Sequence, residues 1–272
     1  MRRSLFALML LSAPAAAQDA AGPLPIVDAH VHYSHDAWEV VPPASAIAIL
    51  RQAGVARAFV SSSNDDGTQM LHRLAPDIVV PVLRPYRTRG DISVWLRDPG
   101  VLDYLEDRLR RFSYAGIGEF HAYGGDADLP AMVRVVEMAR RHRLFLHCHG
   151  DAAAVDRLFA HDRDATVLWA HAGFARPAEV AAALRRHANL WADLAFRSDH
   201  AGDGTIDPEW RALFEAMPDR FLLGTDTFVP ERWHFIAEHA RTARAWLALL
   251  PPDVAARIAR GNAEALLARV GR

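Results

Sequence analysis

From residue 26 onward, short runs of apolar and β-branched residues alternate with longer segments in which apolar positions recur every three or four residues. The first kind suits buried strands and the second suits amphipathic helices, so the alternation predicts repeated βα units around a parallel sheet. Eight strand candidates stand out, at residues 26–33, 58–62, 78–85, 116–120, 144–148, 166–170, 190–195 and 221–225. Between them, segment 130–142 places Met132, Val135, Val136 and Ala139 on one helical face. Segments 177–187 and 208–217 each open on a proline, a favoured residue of the first helical turn. No low-complexity linker divides the chain and no fixed-length repeat is visible beyond the βα alternation, so one domain is the economical reading.

Eight βα units predict a single (β/α)8 TIM barrel of the α/β class, for which about 250 residues is typical. A doubly wound open sheet is the main alternative, but the first strand there is usually followed by a glycine-rich phosphate turn, and here it ends in histidines. Composition is that of an ordinary globular chain, with 51% hydrophobic and 24% charged residues among 272. A net charge of -2 argues against a nucleic-acid partner or an anionic membrane surface, both of which need clustered basic residues.

The N-terminus has a different character. Met1-Arg2-Arg3 gives a basic start, residues 4–14 are mostly apolar, and Ala15-Ala16-Ala17 supplies the small residues a signal peptidase reads. Residues 1–17 are therefore expected to be a signal peptide, with 18–272 forming the barrel of a secreted or periplasmic protein. The apolar run is shorter than the ~20 residues a membrane span needs, so no stable membrane insertion is expected. Arg2-Arg3 leaves both twin-arginine and general export open. Cys148 is the single cysteine, so no intrachain disulfide can form.

Candidate chemistry gathers at the C-terminal ends of the strands, where barrel active sites assemble. Asp28-Ala29-His30-Val31-His32 ends the first strand, and period-two alternation puts the two histidines about 7 Å apart on one side. With 14 histidines in the chain, such a pair alone is weak evidence. The same position, however, carries Glu119 on the fourth strand, His147 on the fifth, His171 on the sixth and Asp226 on the eighth. A lone strand-end histidine is most often a satisfied core group; agreement among five strand ends is not expected by chance, because unpaired polar groups inside a barrel are costly. Imidazole and carboxylate donors together suit a divalent cation, zinc first, with iron, manganese or cobalt also compatible.

Several residues admit two readings. His121 and His149 lie two residues beyond Glu119 and His147 on the same strand faces, and either could replace its neighbour as a ligand. Asp28 is expected to share the face of the two histidines and to orient an imidazole. Arg84, Arg87 and Arg197 follow the third and seventh strands at the expected mouth, where a guanidinium could clamp a substrate carboxylate or phosphate, as His121 could also contact substrate. A surface ion pair is the competing reading for each arginine. Cys148 should alternate away from His147.

The ordered set Asp28-Ala29-His30-Val31-His32, Gly118-Glu119, His147, Trp169-Ala170-His171-Ala172-Gly173, Gly224-Thr225-Asp226 and the closing Gly261-Asn262-Ala263-Glu264-Ala265-Leu266-Leu267 resembles the amidohydrolase superfamily, including its amidohydrolase-related and TatD-like branches. The resemblance covers nearly the whole mature chain. It implies that His30, His32 and Asp226 hold the more buried of one or two metal ions, that His147 and His171 face a second ion or the substrate, and that Glu119 bridges. Many members place a carboxylated lysine on the fourth strand; here all 31 basic residues are arginines, which excludes that group and any lysine Schiff base.

The implied activity is hydrolysis of a small amide, lactone, ester or phosphoester by water whose pKa a metal lowers from ~15.7 toward about 7. Asp226 would shuttle the proton, with His171 as its catalytic neighbour. A metal-dependent decarboxylase of the same superfamily is the alternative. A TatD-like nuclease is disfavoured by export and by the lack of a basic stripe, and a non-catalytic metal-binding barrel stands as the non-enzymatic reading. A homo-oligomer remains open.

Overall fold

The computed structural model describes residues 23–272, so the signal-peptide expectation for residues 1–17 lies outside the described residues. Eight parallel strands surround the core in chain order: β1 (Ile26–Val31), β2 (Val55–Val60), β3 (Val79–Leu83), β4 (Gly116–His121), β5 (Phe145–His149), β6 (Val167–Trp169), β7 (Leu190–Asp193) and, after the small hairpin β8 (Ala201–Gly202) and β9 (Thr205–Ile206), β10 (Phe221–Leu222). Every strand candidate is met. The last is shorter than expected because the chain leaves the β7 ladder after Leu222. It then closes the ring toward β1, where Ala29 N–H donates to Leu223 O and Asp226 N–H to His30 O, both at 2.8 Å.

Helices α1 (Pro43–Gln52), α2 (Asp66–Leu74), α3 (Gly100–Arg111), α4 (Pro130–His142), α5 (Ala152–His161), α6 (Pro177–Arg186), α7 (Pro208–Ala216), α8 (Ile236–Leu247), α9 (Pro252–Ala256) and α10 (Asn262–Arg269) form the outer layer. The buried face of α4 includes the expected Met132, Val135, Val136 and Ala139. None of the helices among the described residues is long and apolar enough to cross a membrane.

Strand alternation divides the apolar residues into two cores. Inside the ring pack Val27, Ala29, Phe59, Val80, Val82, Phe145, Leu168, Trp191 and Leu222, closed at one end by Ala263, Leu266 and Leu267 of α10 and by Val270 just after it. The strand residues of opposite parity, such as Ile26, Val60, Leu146, Cys148 and Val167, face the helices. Cys148 thus points away from His147, as expected. Asn262 pins α10 to the barrel floor, its Nδ2 donating to Pro218 O and Phe221 O.

One departure from alternation matters for the site. On β1, Asp28 pairs with Ala58 and Val31 with Val60, so three steps on one strand oppose two on the other. This bulge reverses the facing of the residues that follow. His30 and His32 turn into the barrel mouth while Asp28 stays on the outer side with Ile26. The expectation that Asp28 shares the histidines' face is therefore corrected. Strict alternation fails because the bulge spends one extra residue.

A buried ion pair braces the layer beside β2. Asp65 Oδ2 accepts from Arg108 Nε at 2.9 Å and Nη2 at 2.5 Å and from Tyr114 OH at 2.6 Å, with all three side chains buried. Removing one partner leaves the other's charge uncompensated in the interior. Arg108→Met is expected to lower the unfolding free energy by roughly 3–5 kcal/mol. Urea denaturation checks this, and an unshifted curve would contradict it.

Candidate metal centre

Side chains from six strand ends converge at the mouth of the barrel. The β1 bulge delivers His30 and His32, β4 delivers Glu119, β5 delivers His147 and His149, the turn after β6 delivers His171, β7 delivers Asp193, and the segment after β10 delivers Asp226. His30, His32, Glu119, His147, His171, Asp193 and Asp226 are all buried. Gly224 lets this happen: a Cβ there would lie 2.8 Å from both His30 Cβ and Ala195 Cβ, so a side chain would push the last barrel segment off His30.

Hydrogen-bond partners fix the tautomers. His32 Nδ1 lies 2.8 Å from Ser61 O and His171 Nδ1 lies 2.8 Å from Ala195 O. A carbonyl only accepts, so both Nδ1 atoms carry a proton and both Nε2 atoms are left to face the cluster. His30 Nδ1 likewise faces Asp193 Oδ2 at 3.2 Å, leaving its Nε2 to the cluster. Those nitrogens aim at one another and at carboxylates. His30 Nε2 is 3.2 Å from His32 Nε2, 3.5 Å from Glu119 Oε1 and 3.8 Å from Asp226 Oδ1. His32 Nε2 is 3.2 Å from Glu119 Oε2 and 3.4 Å from Asp226 Oδ1. His171 Nε2 lies 3.5 Å from Glu119 Oε1 and 4.0 Å from Asp226 Oδ2.

These imidazole nitrogens and carboxylate oxygens crowd one small buried volume. Asp226 Oδ1 is buried and has no hydrogen-bond partner, an arrangement that costs free energy unless something positive sits there. Bonds of about 2.0–2.2 Å in a tetrahedron separate donor atoms by roughly 3.4 Å, and the spacings above cluster around that value. The donor set fits a divalent cation. The electrostatics point the same way: burial would push the His30 pKa down, but the negative field of Asp193, Glu119 and Asp226 holds it well above the ordinary value, so the pocket favours added positive charge, a proton or a cation. Burial likewise opposes ionisation of Asp226, yet His30 and His32 hold its carboxyl down at about 2.

Asp193 was not singled out from the sequence and is the organiser. Its Oδ2 meets His30 Nδ1 and, at 2.9 Å, His147 Nε2, while Oδ1 accepts from His171 N–H and Ala195 N–H, both at 3.0 Å. Despite full burial, its carboxyl is held well below the usual range by His30 and His147. The same strand-end signal that marked Glu119 and Asp226 was present in Leu190-Trp191-Ala192-Asp193. It performs the orienting task expected of Asp28, which instead accepts from the His30 backbone N–H and from Thr225 N–H and Oγ.

The two fifth-strand histidines divide. His147 turns its Nε2 to Asp193, and burial lowers its pKa to about 4. His149 places Nδ1 2.7 Å from Glu119 Oε1 and stacks on His121, with ring centroids 4.1 Å apart. Glu119, His121 and His149 make a second donor group that shares its carboxylate with the first. Tyr86 OH accepts from His121 N–H and reaches its Nδ1 at 2.9 Å, and burial lowers that imidazole to about 3.

Of the three arginines, Arg84 reaches the cluster, donating through Nη2 to Glu119 Oε2 at 2.7 Å. Arg87 is held by Asp91 and Asp98. Arg197 is held by Asp199 and by the carbonyls of His171 and Ala175, which stiffens the His171 turn from behind. Arg232, also not anticipated, donates to Asp226 O at 2.5 Å and Thr225 O at 2.6 Å. Exposed Phe174 stacks on His171 with centroids 4.7 Å apart, and Phe196 and Phe228 continue the aromatic wall.

The sequence profile of the family described as Amidohydrolase matches residues 27–269. No curated protein matches the chain. Among solved structures, an uncharacterised TIM-barrel protein of Bordetella bronchiseptica is similar at 17% identity and a TM-score of 0.60, covering 92% of this chain and 100% of its own. A Pseudomonas putida protein provisionally named 2-pyrone-4,6-dicarboxylic acid hydrolase aligns at 14% identity and 0.59, covering 90% and 98%. A TatD homologue from Escherichia coli aligns at 19% and 0.55, covering 90% and 95%. At these identities the likeness concerns the fold.

Because Asp193 fixes two imidazoles and the turn that carries a third, Asp193→Ala should weaken divalent-cation binding about 10- to 100-fold. Competition against a chromophoric chelator measures this; an affinity equal to wild type would refute the organising role.

Proposed function

Since the chain belongs to the amidohydrolase family and is an enzyme of the hydrolases and lyases gathered there, we propose that it is a hydrolase dependent on a divalent cation, zinc foremost, acting on a small amide, lactone, ester or phosphoester. The observation that carries this reading is the unpartnered Asp226 Oδ1 set against the Nε2 atoms of His30 and His32. Those three residues with Glu119 would hold the cation, His149 and His121 standing beside the shared carboxylate. When bound, it would polarise the carbonyl or phosphoryl oxygen of the group under attack and lower the pKa of attacking water.

The protein's own residues do the rest. Asp226 is ionised, so a carboxylate oxygen can accept a proton from water and return it to the leaving group. His171 Nε2, 4.0 Å from Asp226 Oδ2 with its Nδ1 proton fixed on Ala195 O, stands ready to exchange a hydrogen bond with water or substrate. Arg84 holds Glu119 in place through its side chain and backbone carbonyl. Phe174, Phe196 and Phe228 offer an apolar wall to the substrate's non-reacting part. Export of the enzyme, read from residues 1–17, belongs to the same proposal.

Charge balance bears on how many ions bind. With neutral histidines, the carboxylates of Asp193, Glu119 and Asp226 face one buried guanidinium, Arg84, which leaves an excess of two negative charges. One divalent cation cancels that excess; a second would leave positive charge buried.

Metal analysis of the purified protein should find about one divalent ion per chain, and chelation should abolish turnover. A substrate panel should contain amides, phosphoesters and lactones, 2-pyrone-4,6-dicarboxylate among them, with carbon dioxide release recorded alongside hydrolysis. Asp226→Asn should lower kcat by about 10²-fold or more on any accepted substrate. Undiminished activity in that variant would sink the mechanism, and carbon dioxide as the product would reassign the enzyme as a lyase.

A further inference from the structure

Behind the last barrel strand lies a hollow of about 270 Å³ that is no part of the metal centre. It sits between the outer face of the sheet and α8, walled by the apolar side chains of Ile26, Leu194, Leu223 and Trp246. The volume is close to the lower end of small-molecule sites, about 300 Å³. Phe196, Ser198 and Thr242 at its edge are exposed, so the space opens to solvent.

Polar side chains line it as well, and two of them stand out. His200 is 6% exposed and its Nδ1 has no hydrogen-bond partner, although the ring is boxed edge-on by Trp210, Phe214 and Trp246. Arg232 is half-buried and forms no salt bridge among the described residues; its Nε and Nη2 are spent on backbone carbonyls, and the cation lies over the rings of Phe196 and Phe228. Arg197, also in the wall, is already paired with Asp199, and the Asp28 oxygens already accept from His30 N–H and from Thr225 N–H and Oγ. What remains is one guanidinium bonded only to backbone carbonyls among the described residues, the unpartnered Nδ1 of His200, and His239 in the same wall, above an apolar floor. That combination selects an anion with an apolar body.

We propose that this hollow is a second ligand site, which binds a small apolar monocarboxylate separately from the metal centre. The carboxylate meets Arg232 and His200, and the hydrocarbon part rests on Leu194, Leu223 and Trp246. Arg232 also holds the carbonyls of Thr225 and Asp226, so a ligand on its guanidinium bears on the segment that carries Asp226. The site stands independently of the reaction assigned to the metal centre.

Calorimetric titration with 3-phenylpropionate, and with 3-phenylpropionamide as its neutral counterpart, tests the proposal. The acid should bind wild type at least about ten-fold more tightly than the amide. Binding should persist after EDTA treatment and in Asp226→Asn. It should weaken at least about ten-fold in Ala243→Phe, which fills the hollow from α8, and in Arg232→Gln, which removes the charge without filling it. Circular dichroism on each variant confirms that it is folded. Two results overturn the site: no binding of the acid to wild type, or binding that disappears with EDTA or in Asp226→Asn while surviving in Ala243→Phe.

Discussion

A single buried carboxylate holds the barrel mouth together. Asp193 receives hydrogen bonds that originate on β1, β5, the turn after β6 and its own strand end, so four stretches of chain are registered against one side chain. Burial alone would protonate such a group; contact with His30 and His147 keeps it ionised instead. Its negative charge fixes the Nδ1 proton of His30, and that choice leaves the Nε2 facing His32, Glu119 and Asp226. The chemistry at the mouth thus begins one residue behind the residues that would carry it.

Much of this was legible in the sequence because a parallel barrel repeats one rule. Strand, mouth residue and helix recur eight times, and period-two alternation inside each strand made the facing of His147, Cys148 and His149 readable. The rule broke where the backbone breaks it. At β1 the bulge between Asp28 and Val31 costs one residue of register, and Asp28 lands on the opposite face from His30. Apolar patterning carries no sign of that, because Ala29 fits either side. Which donors face a cation was hidden for another reason: His147 and His149 have the same parity, and only the competition between Asp193 and Glu119 for their nitrogens separates them.

Guanidinium partners were equally invisible. Arg84, Arg87 and Arg197 occupy equivalent places after their strands, yet they take Glu119, an Asp91–Asp98 pair and Asp199 respectively. Those acids are near in space for reasons of loop path, which one-dimensional spacing does not encode. In a chain without lysine, the fourth-strand carboxylate stands beside an arginine that anchors it bidentately, through its side chain and its backbone carbonyl. Glu119 is thereby a fixed anion, common to both donor groups.

Holding this many buried polar atoms in one volume requires a stiff frame, and the backbone at the mouth shows where that is met. His171, Phe174, Phe196 and Asp226 all adopt positive φ, between 51° and 56°, on the segments that follow β6, β7 and β10. Each such residue costs about 1–2 kcal/mol against the right-handed alternative. They persist because the surroundings over-determine them: the His171 N–H is tied to Asp193, its carbonyl to Arg197, and both the N–H and the carbonyl of Asp226 are bonded. Gly173 completes the turn, since a Cβ there would fall 2.1 Å from the Trp169 ring that plugs the space beneath. A cation placed among these groups would balance their negative charge without altering the frame. The frame itself thus fixes the donor geometry, and the large apolar barrel carries the cost of that organisation.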